Sequence, residues 1–313
     1  MLEVKELTKL FPVGRRRITA VNDVSFRVEE NEIFGIVGES GCGKSTLGRL
    51  ILRLIEPSGG QVFFKGQDIS ALRRRAMRPL RRSMQMVFQN PFASFNPKIR
   101  ISSALTEVCR YYGMSADETR DRIGRLFADT GLSEDLLYRW PRELSGGQLQ
   151  RLAITRALLS APSLIVADEP LSALDVSVQA QLLNLLKALR RNHSMAMVFI
   201  SHDMTVVEYL CDRVGVMYLG RIMELLPGSD LSGNSLHPYT RSLRASSPRL
   251  DRFKDGEKSD TAALLKGETP DPSLALKGCP FAPRCPEASK RCREELPEIR
   301  EAAPGHLIRC HLV

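Results

Sequence analysis

Gly38-Glu39-Ser40-Gly41-Cys42-Gly43-Lys44-Ser45 sets three glycines, a lysine and a hydroxyl in one short run, and that set can hold a triphosphate. Glycines let successive backbone N–H groups turn inward around phosphate oxygens. Lys44 can reach the β- and γ-phosphates, and the Ser45 hydroxyl can ligate Mg²⁺, with Thr46 opening the helix behind it. Cys42 reads as a small spacer in the loop, at which alkylation should block nucleotide binding. Much further along stands Leu144-Ser145-Gly146-Gly147-Gln148. Ser145 suits a helix N-cap, and two glycines behind it expose backbone N–H groups, so this is a second candidate anion site.

Carboxylates supply the hydrolytic half. Leu164-Ile165-Val166-Ala167 leads into Asp168-Glu169, an apolar strand delivering two charges at its C-terminal end. Asp168 suits Mg²⁺, and Glu169 suits a base that orients and polarises a water. His202 follows another strand, Met195 to Ile200, and is expected to contact the γ-phosphate. Gln89 follows Met84-Gln85-Met86-Val87-Phe88, in a loop from which it can touch the metal or the water.

These groups need rigid supports. Ile33 to Val37 reads as a buried strand and the segment from Thr46 as a helix whose positive end faces the anion. Pro57-Ser58-Gly59-Gly60 reads as a turn, and 99–141 as helices, with Cys109 and Cys211 in helices. A helix from Val178 to Leu189 carries Leu182, Leu183, Leu186 and Leu189 on one face. Residues 246–278, with Pro248, Pro270 and Pro272, read as a linker or irregular arm.

With 313 residues, the chain allows one large domain and an appendage. No apolar run reaches the roughly eighteen residues that span a bilayer. Basic residues number 45 against 36 acidic, a net charge of +9, with clusters at Arg15-Arg16-Arg17, Arg73-Arg74-Arg75 and between Arg78 and Arg82. A solvated helix face, anionic lipid and nucleic acid are the three readings. Aromatics make up only 6%, and none interleave with the arginines, which disfavours nucleic acid. Of seven cysteines, Cys279, Cys285, Cys292 and Cys310 cluster near the end, without Cys-x-x-Cys spacing. With no secretory leader a reducing cytoplasm is expected, so disulfides are not. The four thiols could hold zinc or an iron–sulfur cluster, or stay unligated.

Taken together, these motifs resemble the nucleotide-binding domain of ABC transporters, over about residues 2–225. The resemblance implies an α/β fold: a P-loop NTPase core (RecA-like mixed sheet with helices), an antiparallel β subdomain, a helical subdomain and a small Cys-rich C-terminal extension. It implies a core at 1–98 and 142–228, a helical subdomain at 99–141 and an extension at 229–313. Phe11 matches the aromatic that stacks on adenine, and Asp175 closes the Ser172-Ala173-Leu174-Asp175 loop. In this family two domains face each other head to tail, and the signature of one, Ser145, Gly146, Gly147 and Gln148, closes over the ATP of the other.

Asn90 to Pro97 and His237-Pro238-Tyr239-Thr240 resemble the ATPase subunits of dipeptide and oligopeptide importers, and Gly41-Cys42-Gly43 with Leu47-Gly48-Arg49 and the run Phe92-Ala93-Ser94-Phe95 resemble the F-type member of their ATPase pair. That resemblance implies ATP and Mg²⁺ as cofactors and a sister ATP-binding subunit. It also implies two membrane permease subunits and an extracytoplasmic solute-binding protein, with this chain peripheral on the cytoplasmic face of the membrane. Di- and oligopeptides are the implied solutes. Nickel, glutathione or another small solute, an exporter role, and a soluble ABC-type ATPase acting on nucleic acid are the alternatives. Gly278 to Cys285 resembles the C-terminal extension that binds a 4Fe–4S cluster in some peptide-importer ATPases.

Overall fold

The computed structural model describes residues 1–14, 16–172, 174–246, 270 and 277–313. Arg15, Ala173 and nearly all of the arm expected at 246–278 lie outside the described residues; Ser246 ends a helix. The chain opens with β1 (Leu2–Val13), β2 (Arg16–Val28), β3 (Ile33–Val37), α1 (Lys44–Ile51), β4 (Gly59–Phe64) and β5 (Gln67–Asp68). Next come α2 (Arg74–Ser83), β6 (Met84–Val87), α3 (Ile101–Tyr111), α4 (Ala116–Thr130) and α5 (Gly146–Leu158). Then follow β7 (Leu164–Asp168), α6 (Val176–His193), β8 (Ala196–Ser201), α7 (Met204–Leu210), β9 (Arg213–Tyr218) and β10 (Arg221–Pro227). The chain closes with α8 (Pro238–Ser246), α9 (Lys290–Glu294), β11 (Arg300–Ala303) and β12 (His306–Ile308).

By contact the chain divides into two compact units, and their borders cut across those expected at 98, 142 and 229. The first comprises Met1, 28–33 and 71–200. Its frame is a parallel ribbon in which β7 lies between β6 and β8. Every residue of β7 is buried, as a strand covered on both faces requires. Helix α6 returns the chain from β7 to β8 and buries Leu182, Leu183, Leu186 and Leu189. It runs past the expected Val178–Leu189 stretch at both ends. Helix α4 begins in a reciprocal capping box, Ser115 with Glu118, and ends at Gly131 in the left-handed conformation.

The second unit comprises 2–27, 34–70 and 201–313. An antiparallel sheet of order β2-β1-β4-β5 makes one part. In the other, β3 pairs in parallel with β9, and β9, β10, β12 and β11 continue in antiparallel sequence. Thus the C-terminal extension is hydrogen-bonded into the same ribbon as β3, the strand that feeds the phosphate loop.

Three local expectations are corrected. Gly59-Gly60 opens β4 rather than forming a turn, because it pairs with β1 at Thr8. Cys211 lies one residue past α7, in extended backbone, where its side chain is buried against the β3 glycine, Gly35. The first helix also starts at Lys44, not Thr46.

Candidate functional site

In the second unit the buried strand β3 ends at Val37 and releases the loop 38–43, whose last glycine is the N-cap of α1. Gly41 and Gly43 take φ of +79° and +107°, and a Cβ on Gly43 would lie 2.0 Å from the Ala20 carbonyl oxygen. Only glycine fits there. The Lys44 ammonium, buried beneath the loop, donates to the carbonyls of Gly38 and Glu39, both at 2.8 Å. Ser40 and Gly41 are exposed on the loop's outer side, while Ser45 and Thr46 sit half-buried in the first turn of α1. That first turn places the positive end of the helix dipole at the loop, a setting for an anion.

Cys42 departs from its expected behaviour. Its side chain is 3% exposed, and burial pushes its thiol pKa up. A covered, protonated thiol reacts slowly, so alkylation at this position is a poor probe of the loop. Phe11, near the end of β1, is partly exposed, with the Lys9 ammonium 5.1 Å above its ring. His202 is exposed just past β8, and Asp203 beside it caps α7 through the N–H groups of Thr205 and Val206.

The first unit carries the carboxylates. Asp168 is the last residue of β7 and 3% exposed. Glu169 follows at φ +45°, a left-handed conformation rare for a residue with a side chain. Its N–H donates to the Ile200 carbonyl, and its own carbonyl accepts from Ser172. That turn aims the carboxylate away from the strand, where its Oε2 accepts from Gln89 Nε2 at 3.1 Å. Sequence reasoning named both residues separately; the structure joins them.

Ser145 caps α5: its hydroxyl accepts from the Gln148 N–H, and Gln148 Oε1 accepts from the Ser145 N–H. Gly146 and Gly147 are the first two helical residues, whose N–H groups have no carbonyl a turn behind them. Asp175 caps α6, accepting from Val178 N–H at 3.0 Å and Ser177 Oγ at 2.8 Å. Those bonds hold its carboxyl below the usual range.

In the extension, Cys279, Cys285, Cys292 and Cys310 line one small cavity together with His237 and Phe281. Its volume, about 10 Å³, is close to that of a single water. Burial, with the neighbouring thiols adding to it, pushes Cys279 up to about 11, and burial raises Cys285 and Cys310 too. His237 is driven down to about 3 by burial and stays neutral. Among the described residues no three His, Cys, Asp or Glu side chains stand as a ready metal-holding set. The donor chemistry, four soft sulfurs around one cavity, still fits a thiophilic metal centre better than any other ligand.

Two groups escaped sequence reasoning. Tyr239 and Arg284, both in the extension, reach Glu39 in the phosphate loop: Tyr239 Oη accepts its N–H at 3.0 Å, and Arg284 pairs with its carboxylate at 2.7 and 3.0 Å. Only the His237-Pro238-Tyr239 motif and the run into Cys285 marked their neighbourhoods.

Comparison with known proteins accounts for both halves of this arrangement. The family model for ABC transporters matches residues 21–172, and that for the oligopeptide/dipeptide transporter C-terminal region matches 223–292. The oligopeptide transport ATP-binding protein AppF of Bacillus subtilis (strain 168) is 47% identical over 100% of this chain and 97% of its own length. The probable peptide ABC transporter ATP-binding protein y4tS of Sinorhizobium fredii is 45% identical over 100% of this chain and 90% of its own. Among solved structures, the dimeric post-hydrolysis state of the ATP-binding cassette MJ0796 with ADP and Pi is 30% identical, with a TM-score of 0.67, over 72% of this chain and 98% of that one. The cbiO1 protein of Clostridium perfringens, part of the transporter complex cbiONQ, is 27% identical with a TM-score of 0.68, over 74% and 90%. With a phosphate loop, a paired Gln89–Glu169 and a capped double-glycine helix, the chain belongs to the ABC transporter ATPases that carry the oligopeptide/dipeptide transporter C-terminal region.

Proposed function

We propose that this ATPase energises import of di- and oligopeptides through a membrane ABC permease. The observation that carries the reading is kinship with a peptide-transport subunit over the whole of this chain, C-terminal region included. Nickel or another small solute is the rival cargo.

In the proposed cycle the 38–46 loop wraps the phosphates and Phe11 stacks on adenine. Lys44 binds the β- and γ-phosphates, and Ser45, Asp168 and Gln89 would hold Mg²⁺, which would draw charge from the phosphate oxygens. Glu169 takes the proton of the attacking water, and Gln89 orients both the carboxylate and the water. His202 contacts the γ-phosphate. Ser145, Gly146, Gly147 and Gln148 of a second subunit, a sister ATPase, donate to the same γ-phosphate, and Asp175 lies at that seam. ATP is then part of the interface, and its hydrolysis loosens it.

The proposed partners are that sister subunit, two permease subunits and, through them, an extracytoplasmic solute-binding protein. Among the described residues no helix is long and apolar enough to cross a membrane, so attachment to the cytoplasmic face would be peripheral. In the proposed division, 1–98 with 142–228 form the nucleotide core and 99–141 a helical subdomain that receives the permease. The extension, 229–313, carries Cys279, Cys285, Cys292 and Cys310, which would hold a thiolate-bound metal centre, a 4Fe–4S cluster by family resemblance. Such a centre would neutralise thiols that burial disfavours as charges.

The test is ATP turnover by the transporter reconstituted with its binding protein. Dipeptides or oligopeptides should stimulate it severalfold, and Glu169→Gln should lower the stimulated rate by about 10² or more. Stimulation by nickel and not by peptides would replace the proposed cargo.

A further inference from the structure

Glu39, the second residue of the phosphate loop, is held both from within the loop and from the extension. Lys44 Nζ donates to its carbonyl oxygen at 2.8 Å, and the Cys42 N–H to the same oxygen at 3.3 Å. Two further contacts come from the extension, 200 and 245 positions away, so neither is a by-product of local folding. Tyr239 Oη accepts the Glu39 N–H at 3.0 Å and itself leans on the Met217 carbonyl at 3.4 Å. That same carbonyl oxygen lies 2.1 Å from where a Cβ on Gly38 would stand, so the hydroxyl touches both walls of the loop's entrance. Arg284 grips the Glu39 carboxylate with both terminal nitrogens, at 2.7 and 3.0 Å.

The side chains in this pair are 6% and 20% exposed, so water and salt screen it weakly. A two-pronged guanidinium–carboxylate contact fixes orientation as well as charge. Phe281 wedges behind both contacts, its ring 5.3 Å from Tyr239 and 5.4 Å from Tyr218. Arg284 is built on the same turn, its N–H donating to the Phe281 carbonyl at 2.9 Å. Tyr218 completes the support, with the Arg284 guanidinium 5.9 Å over its ring.

We propose that Tyr239 and Arg284 are positioning residues of the ATP site: the extension sets the shape and charge of the phosphate loop, and nucleotide affinity depends on it. The loop must receive a polyanion while carrying a carboxylate of its own. Arg284 neutralises that carboxylate and turns it aside, and Tyr239 holds the adjoining peptide so that neighbouring N–H groups stay aimed inward. This rests on the ATP reading of the 38–45 loop and adds a dependence that the loop alone does not have.

The experiment measures MgATP affinity by calorimetry, and KM and kcat for ATP, on the full-length chain. Arg284→Ala is expected to raise Kd and KM about tenfold, in the usual range for coupling between sites, with kcat at saturating ATP within about twofold of the wild type. Arg284→Lys should recover part of the loss, and Tyr239→Phe, which removes one oxygen, should raise Kd in the same direction. In a Glu39→Ala background Arg284→Ala should have no further effect, because the carboxylate it grips is gone. A folded Arg284→Ala or Arg284→Lys protein with unchanged Kd, together with a silent Tyr239→Phe, would overturn the proposal. So would additive effects in the Glu39→Ala, Arg284→Ala double variant. Lys44→Ala separates the two levels: a wild-type chain whose ATP binding ignores Lys44 would overturn the ATP reading and this proposal together.

Discussion

Gly146 and Gly147 share a side chain but not a reason for it. A Cβ on Gly147 would stand 2.7 Å from Val178 Cγ1, whereas on Gly146 the nearest atom, Leu174 Cδ2, is at an ordinary 3.5 Å. Gly147 is thus required by packing against α6 within one chain. Gly146 has room, so its demand for glycine comes from whatever approaches the helix from outside. Alanine at Gly147 should cost about 1–3 kcal/mol, the usual penalty of overpacking, and lower Tm by thermal melting. Alanine at Gly146 should leave Tm within a degree or two, or raise it slightly through helix propensity, while weakening ATP-dependent association measured by sedimentation. Equal losses of Tm in the two variants would remove the distinction. The sequence pattern pointed to close approach at both glycines; the reason for one of them is internal, and α6 had to be folded onto α5 to reveal it.

Among the elements, what could be read in advance was what is encoded locally. The strands β3 and β7 are short apolar runs with a chemical residue at their ends, and the structure returns them residue for residue. Elements fixed by distant partners were illegible: β4 begins at Gly59 because β1 pairs with it, and β11 is a wholly exposed strand defined only by β12. The arginines of α2 gain meaning the same way, since Arg78 donates to the Tyr111 hydroxyl and Arg82 lies over the Tyr112 ring, both beyond the next strand. Capping boxes are the local signal most useful for a test. Ser115 with Glu118 and Ser145 with Gln148 have the same geometry on α4 and α5. Replacing either serine with alanine should cost about 1 kcal/mol of stability in urea unfolding. Ser115→Ala should stop there, with ATP-dependent association intact. Ser145→Ala should lose that association as well, because in the proposed dimer its helix start meets the partner's nucleotide. Association surviving Ser145→Ala undiminished would make the α5 cap purely structural.

At the scale of the whole chain, the extension is the part whose role composition least revealed, because its contacts are long-range. Phe281, Ala282, Ile308 and four cysteines, three of them buried, give the tail a small core joined to β10 through β12. The turn that presents Arg284 runs from Cys279 to Cys285, pinned by Cys279 N–H on the Cys292 carbonyl and by Cys285 N–H on Phe281. Gly278 beside it cannot bear a Cβ, which would lie 2.3 Å from the Cys292 oxygen, so the backbone there has little freedom to absorb a change. Whatever the thiols bind should therefore be felt by Arg284, one residue from Cys285, and through it by Glu39. Cys279→Ser with Cys285→Ser should strip bound iron or zinc, read by metal analysis, and raise the MgATP Kd severalfold in an otherwise wild-type chain. Added to Arg284→Ala, the same pair should raise Kd no further, because the link it acts through has already been cut. Metal lost with Kd unmoved would leave the thiols a local staple. A rise in Kd that persists without Arg284 would show that the extension reaches the phosphate loop by another route, such as the Tyr239 hydroxyl on the Glu39 N–H.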